Sequence, residues 1–466
     1  MPPRNVVFLI VATVASLASW FARHRDLRGH RVNEVLTHIA GSYIEPVDGE
    51  MLVDAAVQAA VSRLDENSAF LRPADRRDLE SVLDQRFGGV GLELGMASRD
   101  GEAGEPRVVA AIVGGPAWRA DVGADDRIVA VDGAATRGRP LEETVQKLRG
   151  MPGSEVVIRV VPATAGAGAT APSGRDVQLV REVIRVESVQ GDRRNADGSW
   201  DWFLEGEPGV AYLRLTGFGE RTVEEFDAAL ASIGAAEMVR GLVIDLRGNP
   251  GGLLAPAIEV CDRYLDDGVI VSLRGRSADR DPGLDTRRAR PGTALAEVPV
   301  AVLIDGLTAS SAEIVAACLQ DHGRATVVGS RSFGKGTVQS ILPLSDGAAL
   351  KLTTSQYRRP GGGRIHRRPE DGPDALWGVS PDTGFDVSPS SLSLERLRDW
   401  RRRRAVPRPR PEDGRGPDGA EALPTEVDEV LARAVEIFAP SSNPVPQLGR
   451  EEETAGHADH APRPGV

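Results

Sequence analysis

Cysteine is scarce in this chain, since only Cys261 and Cys318 occur among its 466 residues. Two thiols cannot build a disulfide framework or a zinc site made of cysteines. Both cysteines lie in apolar helical patterns, which favours buried free thiols that pack as small apolar side chains.

Basic residues are also fewer than acidic residues. The chain has 56 Lys and Arg against 68 Asp and Glu, and a formal net charge of -12. Proteins that bind nucleic acid need basic surface to neutralise phosphates. We therefore expect no nucleic-acid partner.

One apolar run, residues 6–22, lies near the N-terminus and is flanked by Arg4 and Arg23. This layout is typical of a signal peptide or a short membrane anchor within residues 1–25. The run has about 17 residues, the lower limit for a membrane-spanning helix. We expect export to the extracytoplasmic, periplasmic side of the cell envelope, with the run retained in the membrane. The pattern leaves oligomerisation open.

The length of the chain allows two or three domains. In residues 26–85 the apolar positions are spaced by three and four, which predicts short helices. Residues 86–182 show short strands and glycine-rich turns, which predicts a small β-rich domain. Strands and helices alternate in residues 183–390, which predicts α/β layers. Residues 391–466 are polar and rich in Arg and Pro, so we expect a largely disordered tail with one short helix near its centre.

Ser310 lies where an apolar strand passes into an apolar helix. Its spacing to Glu313 is that of a capping box, in which the serine hydroxyl caps the helix and the carboxylate accepts the serine amide. The alternative is a nucleophile at a strand-to-helix turn, beside the positive end of the helix dipole. The backbone amide of Ser311 could then stabilise an oxyanion. Taken alone, the motif favours the cap.

A serine nucleophile needs a base, and histidine, the usual one, is poorly placed here. Of the seven histidines, five lie near the N-terminal run or in the tail. His322 is twelve residues farther along the same predicted helix, roughly 18 Å from Ser310. His366 lies in a glycine-rich loop without an obvious carboxylate to orient it.

Lys335 is a better candidate base, because burial lowers the pKa of an ammonium group. One alternative is an ordinary solvated lysine. Another is a phosphate-binding loop, since the glycines at 329 and 334 precede Lys335 at nearly the spacing of that motif. Gly336 stands where the loop needs Ser or Thr, and the following residues predict a strand rather than a helix, which argues against phosphate binding.

Two further segments could complete a site. Gln339 can orient Lys335 only if the chain turns or bulges, because four residues of regular strand span about 13 Å. The neighbouring glycines permit such a bulge. The loop at residues 245–253 is either a tight turn or a place where an amide of Gly251 or Gly252 points at a developing oxyanion.

Taken together, these motifs resemble those of the C-terminal processing peptidases, also called tail-specific proteases. The resemblance covers about residues 30–385. It rests on residues 88–94, 123–133, 245–254, 309–314, 320–328, 333–339 and 344–354. It implies a multidomain α/β (α+β) fold, with a ClpP/crotonase-like protease core, an inserted PDZ domain at residues 86–182 and N-terminal helices.

The resemblance also implies roles for the candidate residues. In that family the nucleophile precedes the lysine by 25 residues, which selects Ser310 over Ser311. Lys335 would be the general base, and Gln339 would position it. The oxyanion hole would take its amides from Ser311 and from the turn of Gly251 and Gly252.

The family's reaction is endopeptidase cleavage near a protein's C-terminus through an acyl-enzyme, without metal or cofactor. The PDZ domain would hold the free C-terminal carboxylate of a protein or peptide substrate with loop amides while the substrate adds as a strand. The candidates in this loop are Gly88, Gly89, Val90, Gly91 and Leu92. A catalytically silent PDZ scaffold that binds protein C-termini is the alternative.

Overall fold

The computed structural model describes residues 13, 27–99, 102–163, 174–236, 238–276, 286–292, 297–372, 374–407 and 423–439. The signal peptide or membrane anchor expected within residues 1–25 lies outside these ranges, apart from residue 13. Among the described residues, no helix is both long and apolar enough to cross a membrane.

The N-terminal segment is helical, as predicted. It contains α1 (Leu27–Ser42), α2 (Gly49–Val61), β1 (Ala69–Leu71) and α3 (Pro73–Leu83). Asp48 caps α2 by accepting the Glu50 amide, and a proline opens α3, where its missing N–H costs no hydrogen bond. Strand β1 pairs with residues 349–351, which ties this segment to the main body of the protein.

The β-rich domain joins the rest of the chain through one antiparallel pair, β2 (Arg86–Gly89) and β9 (Glu182–Arg185). Between them lie β3 (Leu92–Arg99), β4 (Glu102–Ala111), α4 (Pro116–Arg119), β5 (Arg127–Val131), β6 (Ala134–Ala135), α5 (Leu141–Leu148), β7 (Glu155–Val161) and β8 (Arg175–Val180). The sheet order is β3-β4-β5-β7-β8, so β3 is an edge strand. This domain has its own apolar core and is inserted into the larger unit.

The larger unit is built on a sheet of β10 (Val189–Gln190), β13 (Val210–Leu215), β14 (Gly241–Asp245), β17 (Val300–Ile304) and β18 (Ala325–Gly329). The last four strands are parallel, and β10 adds antiparallel at the edge. Every residue of β14 and β17 is buried. Such continuously apolar strands are typical of a parallel sheet that is covered on both faces.

Helices α6 (Thr222–Gly234), α7 (Leu254–Asp262) and α8 (Ser311–Asp321) cover one face of this sheet. Cys261 and Cys318, on α7 and α8, are both buried and free, as predicted. A second sheet contains β1, β15 (Val269–Gly275), β16 (Thr286–Arg288), β19 (Thr337–Pro343) and β20 (Ala349–Arg358), and a small ribbon joins β11 (Arg193–Arg194) to β12 (Trp200–Asp201). The predicted α/β body with an inserted β-rich domain is confirmed.

Two stretches of the tail are helical: the short helix predicted near its centre is present, and residues at its start, where we expected disorder, are helical as well. They form α9 (Ser391–Arg404), α10 (Pro424–Val427), α11 (Glu429–Val435) and a 3-10 turn (Glu436–Phe438). Apolar residues of α11 pack on the open face of the central sheet. On α9, Arg404 is buried and pairs with Asp192, so the arginine-rich run takes part in tertiary ion pairs.

Candidate active site

Ser310 connects β17 to α8 in a backbone conformation that residues with a side chain rarely adopt. Its φ is 56° and its ψ is -119°. The serine is the N-cap of α8 and forms a capping box with Glu313, whose carboxylate accepts the Ser310 amide. The capping box favoured by the motif is therefore present, and the strained backbone is a separate indication of function, because strained residues of this kind concentrate at functional sites.

The Glu313 carboxylate joins the Ser310 turn to the segment that carries Lys335. It is fully buried, and its Oε2 accepts the backbone amides of Ser310 at 2.9 Å and Lys335 at 2.8 Å. Its Oε1 accepts the Gly334 amide at 2.8 Å and the Ser332 hydroxyl at 2.5 Å. Burial raises the pKa of Glu313, and these four donors act in the opposite direction by stabilising the carboxylate.

The glycine turn packs directly against Ser310. A Cβ on Gly251 would lie 2.7 Å from the Ser310 Cβ, and one on Gly252 would lie 2.0 Å from the Phe218 carbonyl oxygen. The turn is held to the Ser310 segment because the Ser311 hydroxyl donates to the Gly252 carbonyl at 3.0 Å. Only glycine fits at either position without displacing the backbone.

The candidate oxyanion amides differ in whether they are free. The Gly251 amide donates to Asn249 Oδ1 at 2.8 Å. The amides of Gly252 and Ser311 meet no acceptor among the described residues. Two of the three predicted amides are thus available to a ligand, while the third stabilises the turn.

Lys335 is half-buried, and its side chain has neither a hydrogen bond nor an ion pair within the part of the chain that the structure describes. Burial lowers the pKa of Lys335, and the positive charge of Lys351 lowers it further. Glu66 and Glu313 act in the opposite direction. A lysine in this setting loses its proton more readily than a solvated one. No described hydrogen bond joins it to Ser310.

Gln339 lies just after an irregularity of the kind its spacing requires. The register of β19 against β20 shifts between Val338 and Gln339. However, Gln339 Nε2 donates to the hydroxyls of Thr337 at 2.9 Å and Thr353 at 3.3 Å, not to Lys335. The bulge is present, while the contact between Gln339 and Lys335 stays a prediction.

Tyr357 is a neighbour of Ser310 that sequence reasoning missed. Burial raises the pKa of Tyr357 to about 12, and hydrogen bonding with the Ser310 side chain acts against that rise. The Tyr357 amide donates to the Gly336 carbonyl at 2.7 Å, next to Lys335 in the chain. Its place in β20 gave no local signal, because the contact is made across the second sheet.

Beneath the glycine turn lies an ion network that the sequence did not suggest. Arg247 donates to Asp245 at 2.6 Å and to Asp428 at 2.6 Å. Arg401 of α9 donates to Asp245 at 2.7 Å. Burial acts to raise the pKa of both carboxyl groups, but the arginines hold the pKa of Asp245 well below its usual value and also lower the pKa of Asp428. Two tail residues thus brace the loop that ends at Gly251.

The predicted peptide loop lies at the edge of the β-rich domain. Gly88 and Gly89 pair with β9, whereas the amides of Val90 and Gly91 meet no acceptor among the described residues. Leu92 begins the edge strand β3. A cavity of about 90 Å³ lies between this loop and α5, with Val145 and Leu148 on the helix side.

A second cavity, of about 290 Å³, connects this domain to the glycine turn. We refer to this cavity as the channel. Its walls include Phe87 and Arg149 at one end and Gly251 and Gly252 at the other. The structure therefore brings Ser310, Ser311 and the glycine turn together. The backbone amide of Lys335 binds the same Glu313 carboxylate as the Ser310 amide. The peptide loop lies in the inserted domain. Within the described residues no cluster of His, Cys, Asp or Glu is arranged to hold a metal ion.

Comparisons with known proteins agree with this arrangement. The model of peptidase family S41 matches residues 209–384, and that of the PDZ domain matches residues 107–162. The chain is 36% identical over 338 residues to a carboxy-terminal-processing protease of Bartonella bacilliformis, covering 72% of each chain. It is 31% identical over 347 residues to the carboxy-terminal processing protease CtpB of Bacillus subtilis, covering 74% of this chain and 67% of the relative.

Among solved structures, the chain matches the photosystem II D1 C-terminal processing protease with 28% identity and a TM-score of 0.42, over 76% of this chain and 86% of that one. The family models and the two relatives confirm, at the level of the family, the resemblance inferred from the motifs. The chain belongs to the carboxy-terminal processing proteases of peptidase family S41, which are serine-type peptidases, and it carries a PDZ domain.

Proposed function

We propose that this protein is an endopeptidase that cleaves proteins near their C-termini with Ser310 as nucleophile and Lys335 as general base. The observation that carries this proposal is the shared Glu313 carboxylate, which accepts the backbone amides of both residues. A purely structural cap would need only the bond to Ser310. The second bond fixes the base segment relative to the nucleophile.

In this mechanism Ser310 Oγ attacks the carbonyl carbon of the scissile peptide bond, and its proton passes to the neutral Lys335 Nζ. The oxygen of the tetrahedral intermediate accepts the free amides of Gly252 and Ser311. Lys335 then protonates the leaving amine, and an ester to Ser310 remains. Water then attacks the ester while Lys335 takes its proton, and Lys335 returns that proton to Ser310 Oγ as the ester bond breaks and the acid product leaves. Gln339 is the residue proposed to position the lysine.

We propose that the PDZ domain selects the substrate by its free C-terminus. The Val90 and Gly91 amides would hold the carboxylate, next to Gly88, Gly89 and Leu92, while the tail adds along the edge strand β3. The channel begins at Phe87, which directly precedes this loop in the chain, and ends at the glycine turn. The apolar run at residues 6–22 supports export and a membrane-anchored location on the periplasmic side of the envelope.

The test is cleavage of an unstructured protein with an apolar C-terminal tail. We expect Ser310→Ala and Lys335→Ala each to reduce kcat by at least about a thousandfold, because each removes a group that reacts. Ser311→Ala keeps the backbone amide and should lose much less. Equal activity of the wild type and Ser310→Ala would refute the dyad. Tail binding without cleavage by the wild type would favour the alternative, a catalytically silent scaffold.

A further inference from the structure

A third cavity lies apart from Ser310, between the PDZ domain, the central sheet and the tail helix α9. Its volume is about 620 Å³, within the usual range of ligand pockets. Val109 and Ala110 of the PDZ domain form one wall, Arg214 of β13 a second, and Trp400 and Arg401 of α9 a third. A ligand here would touch all three parts of the molecule.

Most charged groups around this cavity are already paired. Glu187 pairs with Arg194, and Asp192 pairs with Arg404. Asp399 pairs with Arg402 on the same helix. Arg401 belongs to the ion network under the glycine turn, where two carboxylates face two guanidinium groups. In each of these groups the number of carboxylates equals the number of guanidinium groups, so none of them has a carboxylate left over to pair with another cation.

Glu93, Arg214 and Arg398 have no ion pair within the described residues, and of these three only Arg214 is largely buried. The Arg214 Nε meets no hydrogen-bond acceptor. No carboxylate in the described ranges forms an ion pair with it, although Asp245 is its neighbour across the parallel strands. Burial and then the Arg401 cation lower the pKa of Arg214, since the site already carries positive charge. An unpaired buried guanidinium is unfavourable unless a ligand supplies the missing anion.

We propose that this cavity binds a peptide carboxylate and that the Arg214 guanidinium is its partner. A guanidinium group matches a carboxylate in shape and charge, with two parallel hydrogen bonds. The cavity shares the wall residues Val186, Glu187 and Thr216 with the channel that ends at the glycine turn. A peptide lying in the channel can therefore extend into the cavity.

This site is separate from the PDZ loop, and it does not depend on the assignment of the dyad. The carboxylate can come from the C-terminus of the peptide or from an Asp or Glu side chain. Both sources present the same group to Arg214. The experiment must distinguish them.

Calorimetric titration of the Ser310→Ala chain, which leaves peptides intact, provides the test. The first probe is an apolar hexapeptide with one Glu and both ends blocked. The second has Gln instead of Glu and a free C-terminus, and the third has Gln and both ends blocked. We expect the first or the second to bind, and the third not to bind at this site. The first reports a side-chain carboxylate and the second a C-terminal one.

Adding Arg214→Gln to that chain should weaken the Arg214-dependent binding at least tenfold, because the charged partner is lost. Arg214→Lys keeps the charge and should weaken it less. Arg287→Gln removes one exposed positive charge outside the cavity and serves as the matched control. The melting temperature of Arg214→Gln without peptide should not fall, because an unpaired buried charge is removed.

Two results would overturn the proposal. One is equal binding of every probe by the Ser310→Ala chain with and without Arg214→Gln. The other is binding of inorganic phosphate at Arg214 with no Arg214-dependent binding of either carboxylate peptide. If Arg214→Gln fails to fold, the comparison of Arg214→Lys with the Arg287→Gln control decides the question.

Discussion

Ser310 is held in its strained backbone conformation by contacts on two sides. Glu313 accepts its amide, and Gly251 packs against its Cβ. A residue with a side chain at positive φ costs roughly 1–3 kcal/mol, so such contacts are needed to maintain it. The same turn leaves the Ser311 amide without an acceptor among the described residues. At this residue, capping geometry and the proposed catalysis use the same turn.

Gly251→Ala should therefore reduce kcat by about a hundredfold or more, because its methyl group would displace Ser310 and the oxyanion amides. A Cβ there would lie 2.7 Å from the Ser310 Cβ and 2.8 Å from the Ala309 carbonyl oxygen. Gly248→Ala is the matched control, since Gly248 also has positive φ, at 71°, but has open space around its Cβ position. Steady-state kinetics of both variants check the prediction. Equal losses would mean that backbone strain, not the contact with Ser310, is responsible.

The pKa of Lys335 makes a prediction about pH. Only the neutral amine can act as a base, so kcat/KM should rise with pH through the lysine pKa. Lys351 lowers that pKa by charge repulsion. Lys351→Gln should raise it and move the rising limb of the pH profile to higher pH. Lys147→Gln, an exposed lysine on the PDZ helix, should leave the limb in place, and an equal shift in both variants would argue against the assignment.

The candidate site could be read from sequence where its signals are local. The spacing of Ser310 to Lys335 and the glycine pair at 251 and 252 are visible in the chain itself. The sequence did not show that Glu313 also binds the Lys335 segment. The amides of Gly334 and Lys335 that it accepts lie about twenty residues away in the chain, and only folding brings them near. The same holds for Tyr357, whose neighbours lie on other elements.

Among the elements, α9 shows that local charge composition does not predict whether a segment packs on the rest of the protein. The polar, arginine-rich composition of this segment predicts a disordered tail, yet Arg401 and Arg404 are paired with carboxylates of the central unit. Those partners, Asp245 and Asp192, precede the two arginines by more than 150 residues. Local composition carries no information about partners at such separation. The short helix near the centre of the tail was predicted because its apolar period is local.

Asp428 at the start of α11 is the point where the tail braces the glycine turn. Asp428→Asn keeps the size of the side chain but leaves the buried Arg247 with one carboxylate fewer. Breaking a buried pair from one side costs about 3–5 kcal/mol, so we expect a lower free energy of unfolding and a lower kcat. Chemical denaturation and kinetics check both effects. Asp399→Asn on α9 removes an exposed carboxylate and should change stability by about 1 kcal/mol or less.

At the scale of the whole molecule, the PDZ domain is connected to the core through β2 and β9 and faces it across two cavities. Residues of both parts line the channel, with Phe87 and Arg149 on the PDZ side and Gly251 and Gly252 on the core side. Binding energy gained at a loop remote from the reacting bond should mainly appear in KM when it is equal in the ground state and the transition state. The PDZ loop and the Ser310 site can therefore be separated kinetically.

Gly91→Ala tests that separation. Gly91 has a φ of 77°, which an alanine rarely adopts, so the substitution strains the loop that exposes the Val90 and Gly91 amides. For a protein substrate with a free C-terminus, we expect KM to rise about tenfold with little change in kcat. The same substrate with an amidated C-terminus should respond much less to the mutation, because it lacks the carboxylate. Gly114→Ala, at a φ of 75° with open space around it, is the control in the same domain. An equal rise in KM for free and amidated tails would mean that the loop supports the PDZ fold without reading the carboxylate.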